Sequence, residues 1–250
     1  MSEIIKTGAV VLSKLDYGDS SVIVSLYTKE NGKLSAILKG GRNPKSKLSL
    51  IVDPLNYLEV ILYNKSSRDV QILTEADIKG HFPSIKSDLE KLKYAHSVME
   101  LIKNLTVDHE VNHKLFQGIV RILELIEEEK EPSALSFGRF FLFFLREMGY
   151  ELQFNICERC GKSTLKNQEL SYNFEIGILC NECRINYTEN YRIDAELFNY
   201  LMCLKANKNP GVADLHLMDS AITFMEKYLK HHVSDFKGLN SLKMFKNNFN

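Results

Sequence analysis

The sequence predicts an α+β fold: about eighty residues of short strands forming a small barrel or sandwich, then a helical region interrupted by a cysteine-marked segment. Three observations predict it. Apolar residues alternate with period two up to about residue 80, they recur at helical spacing from residue 84 onward, and two C-x-x-C pairs stand between helical stretches. At 250 residues the chain is long enough for two cores, which places a barrel domain at 1–80 and a helical domain at 81–250.

Five strands are expected, at about 5–15, 20–28, 33–39, 54–63 and 69–78. Asn31-Gly32 signals a tight hairpin between the second and third. Because strand side chains alternate, Val22, Val24 and Leu26 share one face, as do Leu34, Ala36 and Leu38, and Leu58, Val60 and Leu62. These are the expected core faces.

Helical periodicity follows Pro83, over 84–104 and 111–129. In the second stretch Leu115, Ile119, Ile122 and Ile126 form one stripe, and Glu127, Glu128, Glu129 and Glu131 read as a solvated acidic end. Pro132 starts the next helix, whose segment FGRFFLFFLREMGY at 137–150 suggests burial between neighbours, with Gly149 as its C-terminal cap. Residues 155 to about 190 are rich in turn formers. Helical periodicity then returns over 194–206 and 213–234.

Composition narrows the function classes. Hydrophobic residues at 44% and charged residues at 26% are ordinary for a globular protein, and no run approaches the length of a membrane span. The first residues carry neither a basic start nor a small-residue cleavage site, so a cytoplasmic location is expected. With 32 basic and 32 acidic residues the formal net charge is zero, so any affinity for a polyanion must come from local patches.

An odd count of five cysteines argues against a disulfide framework. Cys157 and Cys160, then Cys180 and Cys183, form two C-x-x-C pairs separated by 19 residues, 161 to 179, the spacing of four-cysteine zinc sites. A C-x-x-C turn points two sulfurs at one ion, and Gly161 can take the left-handed conformation that follows. Four thiolates fill a tetrahedral shell and leave no position for water or substrate, so one structural zinc ion is expected. The competing reading is a pair of redox dithiols, against which stands the lack of a βαβ pattern around either pair. Cys203, in the apolar stretch LMCLK, reads as packing.

His109-Glu110-Val111-Asn112-His113 matches the H-E-x-x-H pattern of zinc proteases. It sits at the expected first turn of its helix and lacks further metal-binding spacing downstream, so a chance match is the favoured account and a metalloprotease the rival. Residues 33–52 carry Lys33, Lys39, Arg42, Lys45 and Lys47 with no acidic residue. Four of these cluster in KGGRNPKSK at 39–47, where Gly40, Gly41 and Pro44 signal a loop that suits either a phosphate backbone or plain solvation. Tyr57, Ile61 and Tyr63 face away from the expected core, offering either a stacking surface for single strands or packing against the helical domain. Lys227, Lys230, Lys237, Lys243 and Lys246, with His231 and His232, form a second basic stretch: an extension of a nucleic-acid track or the charged face of the last helix.

Taken together these blocks resemble the RecO family of bacterial DNA repair and recombination mediators over essentially the whole chain. YGDSSVIVSLYTKENGKLSAILKGGRNPKSK at 17–47 is similar to the family's N-terminal signature, and GYELQFNICERCGK with FEIGILCNEC to its helix-to-zinc segment. Ser241-Leu242-Lys243 resembles its C-terminal block. The resemblance implies an N-terminal OB-fold β-barrel followed by an α-helical domain with an inserted four-cysteine zinc module at about 155–190. It implies a non-enzymatic, nucleoid-associated protein of the RecF pathway, without a small-molecule substrate. Such a protein binds single- and double-stranded DNA, anneals complementary strands and acts with RecR to load RecA onto DNA coated by single-stranded DNA-binding protein. That coating protein's acidic C-terminal tail is an implied partner. The family's basic loop carries over to Lys39, Arg42, Lys45 and Lys47, while Asn43 stands where another basic residue is frequent. A zinc-stapled protein-interaction module that never touches DNA is the rival binding reading.

Overall fold

A computed structural model of the chain describes residues 3–65, 67–164, 169–188, 191–211 and 214–244. The chain forms two compact units, one of residues 1–133 with 239–250, the other of residues 134–238. The expected division near residue 80 marks the change from strand to helix; compactness instead groups the first helices with the strands.

In the first unit five strands run β1 (Glu3–Tyr17), β2 (Ser21–Thr28), β3 (Gly32–Leu38), β4 (Tyr57–Asn64) and β5 (Val70–Gly80). They close into a barrel in the order β1-β2-β3-β5-β4, with β4 pairing back onto β1 and β3 parallel to β5. This is the strand order of an OB-type barrel. The fifteen residues of β1 allow closure: its first half pairs with β4, its second half with β2, and a register shift between Val11 and Ser13 bends it. All nine side chains expected to face inward lie in one buried cluster with Ala9, Val11, Val52 and Leu73. The β2–β3 turn is held by Thr28, whose Oγ1 donates to the Gly32 carbonyl at 2.8 Å and accepts from the Asn31 N–H at 3.1 Å. Gly32 has φ +63°, and a Cβ there would stand 2.2 Å from the Glu110 carbonyl oxygen, so the hairpin tip requires glycine.

Between β3 and β4 the expected loop at 39–47 leads into a short helix, α1 (Lys47–Ile51), that turn signals and periodicity do not predict. Ser46 caps it, and Lys14 Nζ donates to the Ser49 carbonyl at 2.8 Å. Helices α2 (Pro83–Ser87), α3 (Leu89–Leu105) and α4 (His113–Glu128) follow, and α8 (Asn240–Met244) returns to pack on α3. The expected stripe Leu115, Ile119, Ile122 and Ile126 is buried. Two carboxylates, both from helices, close helix starts that lack their own caps. Glu127 accepts from the Ser84 and Ile85 N–H groups at 3.0 and 2.9 Å, and Glu100 accepts from those of Asn240 and Ser241 at 2.8 and 2.9 Å. The acidic run is thus only partly a solvated end.

Helix α5 (Ser133–Glu147) begins directly after Pro132, and from Ala134 it belongs to the second unit. Phe137, Phe141 and Phe144 are fully buried, each contributing about 1.5–3 kcal/mol of apolar transfer. Gly149, at φ +82°, ends the helix as expected, donating to the Arg146 carbonyl. The turn-rich segment holds a three-stranded sheet, order β7-β6-β8, of β6 (Leu170–Asn173), β7 (Gly177–Leu179) and β8 (Tyr191–Ile193). Helices α6 (Ala195–Lys205) and α7 (Leu215–His232) complete the unit, with Asp194 and Asp214 as N-caps. Phe154 centres the core, its ring 6.2–6.4 Å from those of Phe224, Tyr172 and Phe198.

Candidate metal centre and nucleic-acid interface

The metal centre is built from two backbone knuckles. In the first, the Gly161 N–H donates to the Cys157 carbonyl at 2.8 Å with Gly161 at φ +70°, and the Cys157 N–H donates to the Lys162 carbonyl. In the second, the Cys183 and Arg184 N–H groups both donate to the Cys180 carbonyl at 3.1 Å. The sheet brings them together: the Glu158 N–H donates to the Ile178 carbonyl of β7 at 2.9 Å, and Lys162 pairs with Glu182 across the site at 2.7 Å.

The four sulfurs lie within 4.8 Å of one another, and Cys160 and Cys180 approach to 3.8 Å. A zinc–sulfur distance of about 2.3 Å in a tetrahedron places sulfurs about 3.8 Å apart, so the donor set fits such an ion. Burial pushes the Cys157 thiol up, but N–H groups of Cys180, Cys160 and Arg159 aimed at its sulfur outweigh this and hold it at about 6. Burial, with hydrogen bonds to Cys180, Cys160 and Cys157, pushes Cys183 up to about 12. Neighbouring sulfurs cannot all ionise without a cation among them, and a bound metal supplies that charge. Among the described residues these four form the only group of three or more histidine, cysteine or acidic side chains positioned to hold a metal ion.

The H-E-x-x-H match is not a metal site. His109 sits outside the helix at φ +63°, and α4 begins only at His113, capped by Asn112. Instead of lying one helical turn apart on one face, the two histidines bracket a segment that docks on the β2–β3 hairpin, where the His109 N–H donates to the Lys33 carbonyl at 2.8 Å.

The same packing engages Lys33, one of the residues expected to bind nucleic acid. Its ammonium donates to the carbonyls of Lys103 and Thr106 at the end of α3, at 2.8 and 2.6 Å, and pairs with Asp108 at 3.2 Å. With its side chain 14% exposed, Lys33 closes a helix C-terminus. Lys39, Arg42, Lys45 and Lys47 are all exposed around the β3–α1 loop. Arg42 also holds the loop in place, donating to the Gly18 carbonyl at 2.8 Å and pairing with Asp16 at 3.4 Å.

The expected stacking surface divides. Tyr57 packs edge-on against Phe116 of α4, ring centroids 5.9 Å apart, and Ile61 is half-buried, while Tyr63 is 43% exposed. Register reveals a larger surface. Ile4 pairs with Tyr63, Tyr63 with Ile72, Ile72 with Ile37, Ile37 with Ile23 and Ile23 with Leu15, a row of outward apolar side chains passing around the barrel from β1 back to β1. None belongs to the buried cluster, and Leu15 is 69% exposed. Lys39, exposed, is the first residue after β3 and stands two positions beyond Ile37. Period-two alternation makes these residues outward; only strand pairing aligns them in one row.

Among the described residues no helix is long and apolar enough to cross a membrane. Of the second basic stretch, Lys227, Lys230 and Lys237 belong to the second unit and Lys243 to the first, and Lys246 lies outside the described residues.

An OB-type barrel followed by a helical unit with four thiols positioned to hold one metal ion defines the class: a barrel protein with a four-cysteine module. Residues 1–82 match the family described as Recombination protein O N terminal, and residues 86–241 match Recombination protein O C terminal. The chain belongs to the RecO family of DNA repair proteins, which are mediators and not catalytic enzymes. It is 35% identical to DNA repair protein RecO of Chlorobium limicola over 175 residues, covering 68% of this chain and 67% of that one. It is 27% identical to those of Chloroherpeton thalassium and Alkaliphilus metalliredigens over 252 residues each, covering 96% and 97% of this chain and 97% and 99% of theirs.

Proposed function

We propose that this chain binds single-stranded DNA along the outer face of its barrel, with bases against the apolar row and phosphates on Lys39, Arg42, Lys45 and Lys47. The observation that carries the reading is the adjacency by register of Ile23, Ile37 and Ile72 to an exposed loop with four cations. Bases offer apolar faces to such a row whatever their sequence, and phosphates require cations beside it. Neutralising two strands on one surface lets their bases pair, which is how strand annealing follows from geometry without bond-breaking chemistry. The loop also suits double-stranded DNA, whose phosphates need no apolar face. Cooperation with RecR, contact with the acidic tail of single-stranded DNA-binding protein and loading of RecA rest on family membership, as does location at the nucleoid.

Titration of labelled single strands into the full chain tests this directly. Replacing Lys39 and Arg42 by glutamate is expected to weaken binding at least about tenfold at low salt. Unchanged affinity would remove the loop from the interface. Wild-type protein that ignores oligonucleotides at low ionic strength would leave the apolar row to a protein partner.

The ion at the four cysteines is proposed to be zinc, one per chain and structural. Atomic emission on purified protein is expected to give one zinc per chain, falling well below one in Cys160→Ser. Full metal content in that variant would contradict the four-ligand assignment.

A further inference from the structure

The second unit contains an open cavity of about 590 Å³ that the metal centre and the barrel face leave unexplained. Its walls come from the β6–β7 turn, residues 186–188, Tyr191 of β8 and the last turns of α7. Phe174, Tyr187 and Tyr191 supply aromatic surface, and Lys227, His231 and Glu175 are its basic and acidic groups. The Phe174 ring stacks on His231 at 5.7 Å and 29°, giving one wall. Beside it the Tyr191 ring lies 6.2 Å from that of Phe174, and Lys227 holds its ammonium 5.0 Å from the centre of the Tyr191 ring. The volume lies in the range of sites for small ligands and cofactors.

We propose that this cavity takes one nucleotide of a single strand, a second contact for the same DNA, resting on the strand-binding function proposed above. An exposed cation over a tyrosine face occupies the place where a base would stack. When a base takes that place, Lys227 is displaced toward the rim, where the nucleotide's phosphate arrives. One contact is exchanged for two. Glu175 opposes Lys227 in charge, so the cavity is near neutrality and suits a flat, uncharged ring with one phosphate better than a run of carboxylates. The exposed Asn186 adds an amide able to donate to and accept from base edges.

The test is photo-cross-linking of the full chain, metal retained, to a thymidine hexanucleotide carrying one 5-iodouracil, with cross-links located by mass spectrometry. Cross-links are expected on Tyr187 or Tyr191. They are expected to fall roughly tenfold in Lys227→Glu, an exposed position, and to persist in the Lys39→Glu/Arg42→Glu variant at saturating oligonucleotide. Overall strand binding with cross-links confined to the barrel would overturn this inference and leave the proposed function standing. No strand binding at all would overturn both. Cross-links at the tyrosines that Lys227→Glu leaves unchanged, or that a short acidic peptide abolishes while barrel cross-links remain, would assign the cavity to something other than a nucleotide.

Discussion

Lys33 shows how far a side chain's role departs from its charge. It stands on the barrel hairpin, yet its ammonium serves two carbonyls of the α3 terminus, 70 and 73 residues away in sequence. Replacing it by methionine leaves those carbonyls short of a donor, so a loss of about 1–3 kcal/mol is expected in urea unfolding. The salt dependence of strand binding should be the same as wild type; a shallower dependence would place Lys33 at the interface. Nothing local in the sequence distinguishes Lys33 from Lys39, because the difference lies in what folds against each. The cysteines were legible for the opposite reason: two short-range pairs at a fixed spacing encode their own geometry. His109 and His113 were ambiguous because a five-residue pattern acquires meaning only on a helix, and Asn112 begins that helix too late.

At the scale of elements, the barrel strands were readable because each buries one face and so alternates strictly. What escaped was short. The five-residue α1 is stabilised by Ser46 and by contacts to Lys14 and Gly41 that propensity does not contain, and β6, β7 and β8 run only three or four residues. The acidic run after α4 concealed a cap: Glu127 satisfies two N–H groups of α2, whose N-cap residue Phe82 has no side-chain oxygen to offer. Glu127→Ala is expected to lower stability by about 1 kcal/mol, as loss of a charged helix cap does. An unaltered urea midpoint would show that water replaces the carboxylate without penalty. The apolar row around the barrel belongs to this scale too. Each member was visible as an outward residue, but their alignment depends on pairing partners up to 59 residues apart, as between Ile4 and Tyr63.

For the molecule as a whole, each compact unit holds a buried tyrosine that ties its stability to alkaline pH. Burial raises Tyr27 in the barrel to about 12, aided by the nearby Glu110 carboxylate, and burial also raises Tyr172 beside the metal centre. Both are held neutral in the folded state. Their contribution is complete below pH 10.0 and is lost as pH rises toward 12, because the unfolded chain releases those protons first. Unfolding free energy followed from pH 9 to 12 should therefore fall, and flatten in part for Tyr27→Phe; a flat wild-type profile would contradict the burial assigned to these rings. With zero formal net charge, attraction to DNA cannot come from the molecule's overall field and must be local. The most direct measurement is the log–log dependence of single-strand affinity on salt, in wild type and in Lys39→Glu/Arg42→Glu. Loss of two phosphate contacts predicts a slope shallower by roughly 1.4 in the variant, from about 0.7 per contact on single strands. Identical slopes in the two proteins would contradict a barrel loop that holds the phosphates.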